Sequence, residues 1–257
     1  MIRQTFIWLK KESIEAYRTK KLIIILLVFA ILGIMNPLLA KLMPEIMKTA
    51  MPANMQINLP EPTALDAWTQ FFKNLTQMGL IVFILSFGDV MSKEIGSSKL
   101  IPLVTKGLRR GSVLIGKYLF LIILWTVAIS LNFLISWGYT VYYFSTELVK
   151  NLFPSVLAIW LFGILLISIL LLGSTMFSKW NSLFILLLSL GVMLIINFWP
   201  AFKSGNPLSL ASHNMAILTG KVDLSDFYWS IVWCLNISLI SVILAGWTFR
   251  KKNLGRN

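Results

Sequence analysis

Residues 111–118 come close to the phosphate-binding loop of nucleotide hydrolases, which reads GxxxxGK followed by serine or threonine. Gly111, Gly116 and Lys117 have the required spacing, but Tyr118 stands where that loop needs a small hydroxyl group to hold magnesium. The loop also requires a preceding strand, which the sequence does not indicate, and an uncharged apolar stretch follows Lys117. We interpret the glycines as a hinged entry to a membrane span, and we expect that the chain does not hydrolyse ATP itself.

Other reactive side chains are few. A metal site formed by His213, Asp223 and Asp226 is conceivable, but a loop histidine beside two solvated carboxylates is more often only part of a loop. Cys234 lies in an apolar stretch and is interpreted as a packing residue rather than a nucleophile. The single cysteine and single histidine exclude an internal disulfide and a cysteine-based or multi-histidine metal cluster within one copy. We therefore expect no catalytic residue, metal or cofactor in this chain.

The composition makes lipid the natural surroundings of the chain, because 57% of its 257 residues are apolar and only 13% are charged. A spanning helix needs ~20 mostly apolar residues. Five uncharged stretches meet this length, and the shorter stretch at 74–88 meets it once it is extended. We predict an all-α, polytopic membrane protein with an N-terminal amphipathic helix over residues 2–17 and six transmembrane helices. The predicted spans are about 22–43, 68–91, 114–142, 154–177, 181–200 and 227–249.

The distribution of charge predicts the orientation of these spans. With six crossings, 17 of the 23 lysine and arginine residues, but only four of the ten acidic residues, lie on the side of the two termini. That side carries the whole net charge of +13, and the other side is neutral. By the positive-inside rule both termini are cytoplasmic, and we expect a multi-pass protein of the bacterial plasma membrane. The basic residues then attract anionic membrane lipid, and we expect no nucleic acid partner.

Two segments are predicted to lie on the outer side of the membrane. Residues 41–70 contain four prolines, at positions 44, 52, 60 and 62, and are predicted to be an outer loop too broken for a long helix. Residues 203–226 are predicted to be a second outer loop. No segment outside the spans is long enough to bury a core of its own, so we expect a single transmembrane domain over residues 1–257.

Polar residues within the predicted spans leave two interpretations open. They could form hydrogen bonds between helices, which is a common packing device in membranes, or they could line a substrate path. The five longer uncharged spans contain no aspartate, glutamate, lysine, arginine or histidine, which disfavours an ion-coupled transporter. No ring of charged ligands indicates an ion channel, although a small polar pore stays open. The residues that could line such a path are Asn36, Asn132, Asn197 and Asn236.

The loop predicted between the second and third spans, residues 92–113, carries a recognisable pattern. It reads KEIGSSKLIPLVTKGLRR over residues 93–110, and LIGK follows at 114–117. This loop, and the order of amphipathic helix, spans and termini, resemble the membrane subunit of ABC-2 type exporters, in which an "elbow" helix precedes six spans. The residues that fit the loop pattern of that family are Glu94, Gly96, Leu100, Leu103, Arg110, Gly116 and Lys117. Ser97 replaces a threonine of the family, Gly107 stands near its proline, and Pro102 falls inside the expected coupling helix.

The resemblance implies a permease subunit that is driven by a separate ATPase subunit. In that family a coupling helix in this loop docks on the ATPase, and the ATPase binds ATP and magnesium. A second copy of the chain or a related permease would complete the pathway. The resemblance also implies short re-entrant helices at 211–218 and 224–229 around Gly220. The implied coupling residues are Glu94, Gly96, Lys99, Leu100, Leu103, Arg109 and Arg110.

The cargo and two other functional classes stay open at the level of sequence. The many tryptophan and phenylalanine residues favour a hydrophobic or amphipathic cargo over a sugar or an ion, and such cargoes include peptides, antimicrobials, lipids and drugs. One alternative is an energy-independent channel or carrier. Another is a membrane immunity or sensor protein that sequesters a peptide without transporting it.

Overall fold

The computed structural model of the protein describes residues 2–50, 61–96, 100–199 and 205–252, and no strand occurs within these ranges. Helix α1 (Ile2–Arg18) meets α2 (Lys21–Ala50) at a sharp corner, where Lys20 adopts a left-handed φ of 62°. The second span is assembled from several short helical pieces. The remaining elements are α3 (Ala64–Asn74), a π-helix (Leu75–Gly79), α4 (Leu80–Phe87), α5 (Ser92–Gly96), α6 (Leu100–Thr105), α7 (Arg110–Tyr143), α8 (Leu152–Met176), α9 (Lys179–Ile196), α10 (Ser209–Ser212), α11 (Asn214–Leu218), a 3-10 helix (Leu224–Phe227) and α12 (Tyr228–Lys251).

Within the described residues, five helical segments are long and apolar enough to cross a membrane, which confirms a polytopic, all-helical membrane protein. The second span, predicted as the weakest, lies within a continuous segment of 33 residues. The segment that falls short is instead Trp180–Ile196, because its helix ends before residue 200 and covers only about 26 Å. The five longer segments are Lys21–Ile46, Ala64–Gly96, Arg110–Tyr143, Leu152–Met176 and Leu224–Lys251.

The prediction of an outer loop over residues 41–70 was wrong at both ends, since α2 continues to Ala50 and α3 begins at Ala64. Residues 51–60 lie outside the described residues. Helix α2 contains Pro37 and Pro44, and Pro37 cannot donate to the carbonyl group of Gly33 four residues earlier. The hydroxyl of Ser136 on α7 donates to that carbonyl at 3.0 Å. A neighbouring helix therefore satisfies the group that proline leaves free, which is how membrane helices tolerate proline.

The structure shows which elements share one end of the bundle. Gln4 of α1 donates to the carbonyl of Gly107 and accepts from the backbone N–H of Arg109. Lys252, just beyond α12, donates to the carbonyl groups of Thr175 and Met176 at the end of α8. Arg110, beside this loop, donates to carbonyl groups at the end of α12 and so joins the two sets of contacts. Both described ends of the chain, and the loop between the second and third spans, therefore lie at the same end, which we call the terminal end.

The segment that precedes α12 packs at the opposite end of the bundle. The backbone N–H groups of Lys150 and Asn151, at the start of α8, donate to the carbonyl of Leu218. Asn206 donates to the carbonyl of Met193 near the end of α9, at 2.7 Å. Short helices do form on both sides of Gly220, as predicted, and the side chains of Leu210, Ile217 and Leu218 are fully buried. Helix α9 therefore runs from the terminal end to the opposite end despite its short length.

Candidate functional site

The candidate site lies at the terminal end, where α1 packs across the start of α7. Four residues of α1 at spacings of three or four form its buried face: Thr5, Trp8, Glu12 and Ala16. The opposing position on α7 is Gly116, where an added Cβ atom would lie 2.8 Å from the Cβ of Trp8. Only glycine allows this approach of the two helices. The glycine of the near-match to a phosphate-binding loop thus has a packing role.

Lys117 is the residue that connects the elements of this site. Its side chain is 3% exposed, and its ammonium group donates to a carboxylate oxygen of Glu12 at 2.7 Å. The same ammonium group lies 3.4 Å from an oxygen of Glu94, which belongs to α5. A single buried cation therefore holds together the amphipathic helix, the end of the second span and the beginning of the third.

A second lysine binds the same carboxylates from the solvent side. Lys11 contacts Glu12 at 3.1 Å and Glu15 at 2.6 Å, and it also bonds with Glu94. Burial acts to lower the pKa of Lys11, but hydrogen bonds to Glu15 and Glu94 outweigh it and raise that pKa above its ordinary value. Burial acts to raise the pKa of Glu15, but the bond from Lys11 outweighs it and lowers that pKa. Both groups are therefore charged at neutral pH. We call Lys11, Glu12, Glu15, Glu94 and Lys117 the ion-pair cluster.

The carboxylates of the cluster lie close enough together to raise the question of a metal ion. Ligand atoms of Glu12, Glu15 and Glu94 are all within 4.8 Å of one another. The ammonium groups of Lys11 and Lys117 already bind these oxygens, and Lys93 lies 4.0 Å from Glu15. A cation would have to displace lysines that neutralise the site. We therefore interpret the cluster as an ion-pair network and assign no metal to it.

Arg110 links the same region to the last helix. Its guanidinium group donates to the carbonyl groups of Phe249, Arg250 and Lys252 at distances between 2.7 and 3.0 Å. These carbonyls are at the C-terminal end of α12, where cations are favoured by the helix dipole. Arg110 therefore fixes the start of the third span against the end of the last one.

The predicted coupling residues divide into two groups in the structure. Glu94, Leu100 and Arg110 point into the protein, with Leu100 fully buried. Gly96, Leu103 and Arg109 are exposed, and Lys99 lies outside the described residues. The first group anchors the loop, and the described members of the second group are available to a partner. Direct contact with an ATPase stays a prediction, and the structure favours the exposed group for it.

Helix α6 is a largely exposed part of the loop at the terminal end. Leu100 anchors it, whereas Ile101 and Leu103 are 39% and 44% exposed. Pro102 falls at its third position, in the first turn, where a missing N–H costs no helical hydrogen bond. A short helix is therefore present where a coupling helix was predicted, and the proline is compatible with it. We call exposed Ile101 and Leu103 the apolar tip.

Sequence reasoning missed the partners of Lys117, although one signal was present. Glu12 occupies the same stripe of α1 as Trp8 and Ala16, four residues away on either side. A carboxylate on the packing face of an amphipathic helix must have a cationic partner if that face is buried. The sequence does not say which lysine this is, because Glu12 and Lys117 are 105 residues apart.

The four asparagines proposed to line a path lie in different environments. Asn36 and Asn132 are fully buried, and Asn36 donates to Asn132 at 3.3 Å and to Ser136 at 3.1 Å. Asn74 donates to Asn36 at 2.8 Å, so α2, the second span and α7 share one polar cluster. Asn197 and Asn236 are exposed on the outer surface of the bundle. Hydrogen bonding between helices explains the burial of Asn36 and Asn132. The structure does not bring the four asparagines together along one path.

We expect Asn36→Ala to lower the free energy of unfolding by about 1–2 kcal/mol, because it removes the central member of this interhelical cluster. Asn236→Ala is the matched control, since the Asn236 amide bonds only to the carbonyl of Val232 on its own helix among the contacts described. The control should change stability by less than about 0.5 kcal/mol. Thermal unfolding in detergent micelles measures both. Equal effects of the two substitutions would contradict the packing role of Asn36.

The residues considered for other chemistry have structural partners. Asp223 and Asp226 form a capping box at the 3-10 helix before α12, in which the Asp223 N–H donates to Asp226 at 3.0 Å. The ring of His213 lies 5.5 Å from that of Phe227. Cys234 is buried and contacts the carbonyl of Leu161. These contacts favour the structural interpretation of all four.

No known protein family matches this sequence, and no curated protein is similar to it. The resemblance to ABC-2 exporters therefore rests on the order of the elements and on the loop between the second and third spans.

Proposed function

We propose that this chain is the membrane-spanning permease subunit of an ATP-driven exporter of the ABC-2 type. A separate ATPase subunit, which binds ATP and magnesium, would dock on α6 from the cytoplasm. The observation that carries the proposal is the apolar tip. Two large apolar side chains are exposed at the terminal end, on a short helix whose base is buried in the bundle. Exposed apolar groups on a rigid support are typical of a protein-binding site.

The support of the tip explains how a docked partner would act on the spans. Leu100 is fully buried at the start of α6, and Glu94 in the preceding helix binds Lys11 and Lys117. Force applied to α6 would therefore reach α1 and α7 together rather than bend a free loop. In this proposal Glu94 and Lys117 are positioning residues, while Ile101 and Leu103 make the contact.

The proposed orientation places six crossings in the plasma membrane with both termini in the cytoplasm. Support comes from α9, which joins the two ends of the bundle although its apolar part, Trp180–Ile196, is shorter than the other candidate spans. A helix of about 26 Å is shorter than the ~30 Å hydrocarbon core, and local thinning of the bilayer can accommodate the difference at modest cost. Six crossings also leave the whole charge excess on one side of the membrane.

Charge near the tip indicates the chemistry of the partner surface. Lys93, Lys106 and Arg109 are exposed in the same loop, and the described part of that loop has no exposed acidic residue. The matching surface would be an apolar groove with an acidic rim. The cargo would be hydrophobic or amphipathic, and a second copy of the chain or a related permease would complete its path.

The proposal is tested by the double variant Ile101→Asp/Leu103→Asp, co-expressed with an ATP-binding cassette subunit that co-purifies with the wild-type chain. Carboxylates at the tip should reduce co-purification of that subunit by about tenfold or more, since two buried apolar anchors are lost. Phe177→Asp is the matched control, because Phe177 is also exposed and apolar at the terminal end but belongs to the α8–α9 turn. It should leave co-purification unchanged.

Either of two results would overturn the proposal, and a third would favour a different class of protein. One is a double variant that retains the ATPase subunit as well as the wild-type chain does. The other is transport in reconstituted vesicles that proceeds without ATP or an ATPase, which would favour the channel or carrier. Resistance to a peptide that persists with an inactive ATPase would favour the immunity protein instead.

A further inference from the structure

An apolar groove lies between α9 and α12, with α8 at its base. Its volume is about 880 Å³, within the range of ligand-binding cavities. It opens on the outer surface of the bundle, because Trp229 and Trp233 on α12 and Leu188 on α9 all remain more than half exposed. The segment at 205–207 closes it at the end opposite the termini. We call this the α9–α12 groove.

The lining of the groove excludes a charged or strongly polar occupant. None of its thirteen lining residues is ionisable. Its side-chain amide and hydroxyl groups are already used, since Asn206 donates to the carbonyl of Met193 and Ser189 donates to that of Leu186, each at 2.7 Å. An apolar cavity does not hold water well, and a void leaves its walls without contact partners. A hydrocarbon chain is therefore the chemistry that fits.

The position and length of the groove identify the source of that chain. The part of α9 that lines it runs from Ile185 to Ile196, about 17 Å along the helix axis. This is close to half of a ~30 Å hydrocarbon core, which is the depth of one leaflet. The groove belongs to the half of the bundle away from the terminal end, and α12 is one of the segments suited to cross a membrane. Its opening therefore faces the acyl chains of a single leaflet.

We propose that the α9–α12 groove binds an acyl chain of a bilayer phospholipid, which enters sideways between the two helices. Lipid tails are as apolar as the groove walls, so binding rests on close packing that fills the void rather than on transfer from water. The exposed indole rings of Trp229 and Trp233 flank the opening near the membrane surface, where tryptophan is favoured. The bound chain would complete the packing of the short helix α9.

The test uses the full chain, without any ATPase, in phospholipid vesicles that contain a small fraction of phosphatidylglycerol carrying a diazirine near the end of one acyl chain. After irradiation, mass spectrometry locates the labelled peptides. We expect labelling concentrated at residues 185–196 and 229–237. Ser189→Phe should lower this labelling roughly tenfold, the loss expected when about ten carbon–carbon contacts can no longer form. Leu187→Phe is the control and should change nothing, because Leu187 is exposed on α9 but does not line the groove.

A second groove-filling variant, Ile237→Trp on α12, should lower labelling in the same way, and gel filtration and circular dichroism check that each variant is folded. Even labelling of all outward faces would overturn the proposal, as would labelling unchanged by both groove variants. So would groove labelling that falls with rising protein density while crosslinks between copies appear, because a second copy would then be the occupant. The same vesicles are also tested with a single-chain soluble amphiphile that carries a diazirine. Labelling of the groove by this amphiphile but not by the phospholipid would overturn the proposal and point to cargo instead. None of these outcomes depends on an ATPase, so the proposed function is tested separately.

Discussion

Replacing Lys117 by methionine is expected to lower the free energy of unfolding by about 3–5 kcal/mol, the usual cost of removing one partner from a buried ion pair. Methionine keeps the length and the apolar stem of lysine but leaves Glu12, whose side chain is 8% exposed, without its buried cation. Lys11 also contacts Glu12, but it is shared with Glu15 and Glu94 and is itself partly exposed. It therefore compensates only in part. Denaturant titration in detergent micelles measures the change.

Two further variants separate the loss of an ion pair from a general loss of packing. In Glu12→Gln/Lys117→Met both charges are absent, and most of the stability should return because no unpaired charge is left buried. Lys93→Met removes an exposed lysine at 4.0 Å from Glu15 and should cost less than about 1 kcal/mol. If Lys117→Met cost no more than Lys93→Met, the cluster would not hold the site together as described.

The same substitution bears on the proposed function through a different measurement. Lys117 does not reach the surface, so its loss should leave docking of the ATPase at the apolar tip largely intact while loosening α1 from α7. ATP hydrolysis would then continue with weaker stimulation by cargo. Loss of co-purification in a folded Lys117→Met protein would instead place the docking contact on the ion-pair cluster itself.

Local patterns in the sequence were sufficient to predict α1 and the second span. Helix α1 was predicted over residues 2–17 and runs from Ile2 to Arg18, because its amphipathic repeat is clear. The second span was predicted from a short uncharged stretch and from the distribution of charge, and a segment long enough to span lies there. In both cases hydrophobicity and charge report on the surrounding solvent, and no distant partner is needed to interpret them.

The prolines of α2 show where such patterns fail. The four prolines of residues 41–70 predict a loop too broken for a long helix, yet α2 continues through Pro44 to Ala50. The decisive contact for Pro37 comes from Ser136, about one hundred residues later, whose hydroxyl satisfies the carbonyl of Gly33. The local rule for proline assumes that the freed carbonyl has no other partner, and a packed bundle supplies one.

The candidate site could be located from the sequence but not assembled from it. The loop at 92–113 was identified from its own residues, and its short helix α6 is present. The burial of Glu94 and the bonds of Arg110 to another helix were not foreseen, because their partners lie on α1, α7 and the end of α12. Charged residues in a loop outside the spans are usually solvated, so only the three-dimensional contacts separate those that anchor the loop from those that are exposed.

Gly163 is the second position at which a small change should have a large effect. An alanine Cβ there would lie 2.3 Å from the indole ring of Trp125, far inside van der Waals contact. The ring has little room to yield, because Trp125 is fully buried and its N–H donates to the carbonyl of Trp160 at 3.2 Å. Phe29 and Phe83 pack against it edge to face, with ring centroids 5.9 and 5.3 Å away. The close contact of α7 with α8 therefore requires glycine at this position.

We expect Gly163→Ala to lower the free energy of unfolding by about 3 kcal/mol, the upper end of the usual cost of overpacking a core. Gly138→Ala is the matched control, since Gly138 is also within a spanning helix but has no neighbouring atom within 4 Å of an added Cβ. The control should leave stability unchanged or raise it by up to about 1 kcal/mol, because alanine is the better helix former. Thermal unfolding of the two variants in the same detergent gives the comparison.

A Gly163→Ala protein as stable as Gly138→Ala would mean that α7 and α8 are not packed around Trp125 in this way. Restoration of stability by Trp125→Phe in the Gly163→Ala background would locate the clash at the indole ring, because the smaller ring leaves space for the new methyl group.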